Sequence, residues 1–117
     1  MSNTAKFFCV RVLKLENTPL SDEETTFAEL QDRIKLTVEL LSSVPKPSEV
    51  EAQKLSESEV LMETKMGNFK FESGQKYLSE FAIPNFHFHM TTAYCILRHL
   101  GVPIGAMDYL GDVFHKI

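Results

Sequence analysis

Apolar positions recur at helical spacing over much of the chain, with one short alternating segment in the middle. Phe7, Val10 and Leu13, with Phe8 and Val12 beside them, predict a helix over residues 4–13 that Asn3 or Thr4 would cap. Glu16-Asn-Thr-Pro-Leu-Ser-Asp-Glu23 reads as a loop. Thr26-Phe-Ala-Glu29 has the form of a capping box. Phe27, Leu30, Ile34, Val38 and Leu41 then make one stripe, widened by Leu36 and Leu40. Glu29 and Arg33 sit at the i,i+4 spacing of a useful ion pair. Pro45 and Pro47 end this second helix.

Residues 48–58 are polar and acidic and read as a surface loop. Val60-Leu-Met-Glu-Thr64 and Phe69-Lys-Phe71, around Met66-Gly-Asn68, predict a small β-hairpin. A third helix starts at Ser73 and turns Tyr77, Leu78 and Phe81 inward. Pro84 should kink or restart it, and Gly101 and Pro103 mark its end near Leu100. That is roughly 40 Å of helix at about 1.5 Å per residue. Gly105-Ala-Met-Asp-Tyr-Leu-Gly111 reads as a turn-rich closing segment.

The chain has 117 residues, 44% of them hydrophobic, which sets one domain with one core. A net charge of −4 argues against nucleic acid as a partner. No apolar run is long enough for a membrane span. Two cysteines, Cys9 and Cys95, suit a reducing compartment, so the expected location is the cytoplasm. A helix-turn-helix DNA-binding reading is the weakest, because the helix near Leu97 lacks a basic recognition face.

Three of the four histidines fall between Phe81 and Gly101. Histidine titrates near neutral pH and binds metals. On a helix His87 and His89 point apart, whereas Asn85 and His89 share a face and Cys95 and His99 share another. Each pair offers at most two ligands, and a catalytic zinc takes three from protein. The plainer readings are a hydrogen-bonded or half-exposed His87, a His89 donating to a buried acceptor, and a His99 set against the last carbonyls of its helix. Cys95 reads as a small core residue, Tyr77 and Tyr94 as packing residues with a bonded hydroxyl, and Arg98 as the ion-pair partner of Asp108. His115 lies in the tail without a signal.

The run Phe81-Ala-Ile-Pro-Asn-Phe-His-Phe-His-Met-Thr-Thr-Ala-Tyr-Cys-Ile-Leu-Arg-His-Leu-Gly-Val-Pro-Ile-Gly105, then Asp108-Tyr-Leu-Gly111, resembles the signature of the DUF 1993 family. Thr25-Thr-Phe-Ala-Glu-Leu-Gln-Asp-Arg-Ile34 and the hairpin before Gly74-Gln-Lys-Tyr-Leu78 fit the same pattern. That family belongs with the DinB/YfiT-like metalloenzyme superfamily, whose members are four-helix bundles, many with a three-histidine metal site. The resemblance implies a single all-α domain over 1–117, DinB-like in topology, with a small β-hairpin before a long Pro-kinked helix. It also implies that the first helix and most of the second lie before residue 1, taking a histidine ligand with them. Where relatives carry His-x-x-x-His, this chain has Asn85 and His89.

Two functions follow from the resemblance. The first is a non-catalytic or degenerate bundle protein that forms homodimers through faces left uncovered, with no bound metal. The second is a metal-dependent enzyme, of a thiol or small-acid transferase or isomerase class. It would use His89 and Asn85 with ligands from a partner chain to hold zinc or nickel. His87, Tyr94, Arg98 and His99 are the further pocket candidates, and the substrate is unspecified.

Overall fold

The computed structural model describes residues 1–113, so His115 lies outside the described residues. Helix α1 is Ser2–Arg11, α2 is Phe27–Ser42 and α3 is Glu49–Glu57. A hairpin of β1, Val60–Thr64, and β2, Gly67–Phe71, follows. The chain then passes through α4, Gly74–Lys76, a π-helical stretch, Tyr77–Ala82, and α5, Ile83–His99. A short α6, Ala106–Leu110, closes the described part with a 3₁₀ turn, Gly111–Val113. The contacts divide the chain into two compact units, Met1–Phe86 and His87–Ile117.

Local capping explains where the helices begin. At α2 the Thr26 hydroxyl accepts the Glu29 N–H at 3.3 Å, and Glu29 Oε2 accepts the Thr26 N–H at 2.8 Å. The Thr25 N–H joins at 2.9 Å. These bonds, the Thr25 N–H first, hold the Glu29 carboxyl down at about 2 against an ordinary 4.5. The folded-state value is depressed, so the cap contributes fully above pH 4.5 and is lost as pH falls toward 2. Thermal melts between pH 5 and 2 should show an acid loss of stability that is shallower in Glu29→Gln; parallel acid limbs would contradict this assignment. Because Glu29 is committed to the cap, Arg33 does not pair with it. Arg33 instead binds Asp22 at 2.8 Å and Glu24 at 2.8 Å, which ties the loop before α2 onto that helix.

The segment expected to be a surface loop is a helix. Ser48 caps α3 as Thr26 caps α2: its hydroxyl accepts the Glu51 N–H at 3.3 Å, and Glu51 Oε2 accepts the Ser48 N–H at 3.0 Å. α2 stops at Ser42, before either proline, and Pro47 immediately precedes the Ser48 cap of α3. The closing segment is also helical, with Asp108 Oδ2 accepting the Gly105 N–H at 2.7 Å at the start of α6.

The hairpin pairs antiparallel from Val60 opposite Phe71 to Thr64 opposite Gly67. Val60 and Met62 point inward and Leu61 and Glu63 outward, the period-two pattern of a half-covered strand. Pro84 leaves its mark upstream. A proline in a regular helix lacks an N–H and presses its ring on the carbonyl four residues back. Here the preceding turn widens, so that the Ile83 N–H reaches Leu78 O five residues back. The long third helix is therefore three successive pieces. It ends as expected: Gly101 stands at φ +84°, its N–H bonds Arg98 O and the Val102 N–H bonds Leu97 O, both at 3.0 Å.

The core gathers Val12, Val60, Met62, Tyr77 and Ala82, with Phe8, Leu13, Phe71, Leu78 and Phe81 packed around them. Tyr77 is 0% exposed. Its ring meets Phe71 edge-on at 5.0 Å and Phe81 at 5.4 Å. Its hydroxyl accepts a bond from Arg11 at 3.0 Å, so a buried oxygen is satisfied. Helix α1 buries Lys6 and Cys9, with Val12 just beyond its last turn. That face is offset from the expected Phe7, Val10 and Leu13, which are half-buried.

Helix α2 stands apart from this core. Only Arg33, Thr37 and Leu40 escape exposure along it, three positions on one side of the helix. The stripe is turned outward: Phe27 is 84% exposed, Ile34 60% and Val38 55%, with Leu30 and Leu41 also exposed. The apolar side that amphipathic helices normally bury is the uncovered one here.

Candidate functional site

The candidates on α5 divide by what their side chains touch. Asn85 is half-buried and its amide donates to the Thr4 hydroxyl at 2.9 Å, fastening the start of α5 to α1. His87 is exposed, and its Nδ1 lies 2.8 Å from the Tyr109 hydroxyl on α6. His89 is exposed too, with its ring edge-on to Phe88 at 5.3 Å and no hydrogen-bond partner among the described residues. The expectation that it donates to a buried acceptor is corrected: its position on α5 faces solvent.

Tyr94 is half-buried and its hydroxyl accepts from Arg98 at 3.0 Å, while its ring meets Tyr109 edge-on at 6.3 Å. Arg98 is thus bound one turn back on its own helix, and Asp108 is occupied by the α6 cap. The expected ion pair between them does not form. His99 lies in the last turn of α5, exposed; the terminal carbonyls are met by backbone N–H groups instead. Cys95 is exposed rather than a core residue. The buried thiol is that of Cys9, and burial raises its pKa.

Among the described residues the structure therefore builds a small polar group on the second unit: His87 and Tyr94 against Tyr109, with Arg98 bound to Tyr94. Sequence reading missed Tyr109, because the segment holding it looked like turn. A tyrosine directly after the Asp of a Gly-x-x-Asp cap was the available signal. These groups can accept or donate protons and stack. They do not make a metal centre: among the described residues no three His, Cys, Asp or Glu side chains converge. A catalytic zinc takes three protein ligands and an open position, so the described donors of one copy do not fit it. No helix among the described residues is long and apolar enough to cross a membrane.

The fold places the chain beside DinB-like proteins. It is similar to the crystal structure of a DinB family member from Shewanella denitrificans, with 36% identity and a TM-score of 0.77 over 99% of this chain. The chain spans 64% of the length of that protein. The sequence model of DUF1993, described as a domain of unknown function, matches residues 1–110, and the chain belongs to that family. No curated protein matches it.

Proposed function

We propose that this DinB-like protein works by association, pairing the outward stripe of α2 with the same stripe on a second copy, and that it is non-catalytic on its own. The exposed stripe carries this reading. Phe27, Leu30, Ile34, Val38 and Leu41 are separated by three, four, four and three residues. Their mean spacing is about 3.5, the repeat that keeps a seam against a like helix. Helix α2 runs about 24 Å, at about 1.5 Å per residue, so the seam offers several hundred Å² of apolar surface. A stable interface takes about 800 Å² per partner, so residues flanking the seam must join it. A twofold pair meets through one patch used twice, so a single stripe serves both copies. Sedimentation velocity over a range of concentrations tests it. A dimer that dissociates to monomer in Ile34→Glu supports the pairing; a wild-type monomer at every concentration overturns it.

A second reading is favoured by one observation, the exposed and unbonded ring of His89. In it, His89 joins donors of another chain around a divalent ion such as zinc or nickel. Elemental analysis decides between the readings. Stoichiometric metal that disappears in His89→Ala supports the metal-dependent enzyme, and its absence supports the non-catalytic one.

A further inference from the structure

A cavity of ≈ 510 Å³ opens in the first unit between the end of α1, the loop after α2 and the body of α3. Ligand pockets commonly run from about 300 to 1,000 Å³. Its apolar wall is Leu13, Leu15, Val44 and Leu55. Pro45 and Pro47 hold one side with fixed backbone angles. Three lysines, Lys14, Lys46 and Lys54, also line it. Neither Lys46 nor Lys54 meets a carboxylate within ion-pair distance, since the ion pairs of the described residues lie elsewhere. The one acid among the described residues of the wall, Glu51, spends its carboxylate on the Ser48 N–H and hydroxyl.

Two further observations bear on what enters. A second cavity, of ≈ 130 Å³, shares Leu13, Pro47 and Leu55 with the first. Its remaining wall includes Phe8, Val12 and Leu78, so the apolar lining runs on toward the core. At the lysine side, Lys14 sits at φ 59°, in the left-handed region that residues with a side chain rarely adopt. Its ammonium donates to Arg11 O at 2.7 Å, leaving further N–H donors for another partner. A glycine would turn the chain there without strain.

We propose that this cavity binds a small organic anion with an aliphatic body, such as a medium-chain carboxylate. The lysines take the carboxylate and the shared apolar wall takes the chain. Neither half suffices: a bare anion gains nothing from the leucines, and a neutral chain leaves the Lys46 and Lys54 ammonium groups without an anionic partner.

Isothermal titration calorimetry of the full chain with octanoate, octanol and inorganic phosphate tests it. Octanoate should bind once per chain, and both octanol and phosphate about tenfold or more weakly, as a charge-assisted bond or a buried chain is worth that factor. Lys46→Ala with Lys54→Ala should weaken octanoate about tenfold, and Lys46→Arg should restore part of it. Lys14→Gly should weaken octanoate while raising the melting temperature, a split that a purely structural lysine would not give. Octanol binding as tightly as octanoate, phosphate doing so, no saturable octanoate binding, or full affinity in the double variant would each overturn the proposal. So would loss of binding in Ile34→Glu alone, which would place the ligand on the α2 stripe.

Discussion

Tyr77→Ala is expected to destabilise the protein by about 3–5 kcal/mol, the range for removing a buried aromatic side chain. Small domains have about 5–15 kcal/mol of stability in all, so the variant should be largely unfolded near the melting range of the parent. The reason lies in how little else holds the core. Tyr77 is among the largest fully buried side chains, in ring contact with both Phe71 on the hairpin and Phe81 on its own helix. It also receives the Arg11 bond that joins α1 to the π stretch. Tyr77→Phe keeps the rings and loses only the hydroxyl, at a cost of about 1.5–3 kcal/mol for an oxygen bonded to a charged donor. Urea unfolding of the pair separates packing from hydrogen bonding. Equal losses in both variants would show that the aromatic cluster contributes little.

Gly74→Ala is expected to cost about 2–3 kcal/mol, although helix propensity alone favours alanine by about 1 kcal/mol. A Cβ on Gly74 would lie 2.4 Å from the Leu55 carbonyl oxygen and 3.0 Å from Val12 Cγ1. The oxygen belongs to the backbone of α3 and cannot rotate away, so α3 and α4 must separate. Steric overlap outweighs propensity because the space is taken by main chain rather than by a side-chain tip. A melting temperature at or above that of the parent would mean that α3 is free to move off α4.

Local signals in the sequence were readable, and signals set by tertiary context were not. The box at Thr26 and Glu29 could be read because both partners lie within one turn. The same box at Ser48 and Glu51 was equally present, but two prolines and a run of acids made 48–58 look like loop. The stripe on α2 was legible as a set of residues sharing a side. Periodicity does not say toward what that side faces, and within one copy it faces outward while Arg33, Thr37 and Leu40 turn in. Pro84 announced an irregularity, yet its form, a widened turn over Tyr77–Ala82, depends on packing that no spacing rule contains. At the candidate site, His87 is hydrogen-bonded as expected, but its partner Tyr109 lies in a segment read as turn, where only the Gly-x-x-Asp cap hints at a helix. Cys95 and His89 went the other way, because an apolar helix suggests burial that α5 does not give them.

Amide hydrogen exchange, followed against protein concentration, tests the role of α2 most directly. Amides of α2, Phe27–Ser42, should become more protected as concentration rises, while those of the hairpin, Val60–Phe71, should exchange at an unchanged rate. Exchange in α2 that is the same from dilute to concentrated solution would contradict it, since no second copy would then be covering the stripe.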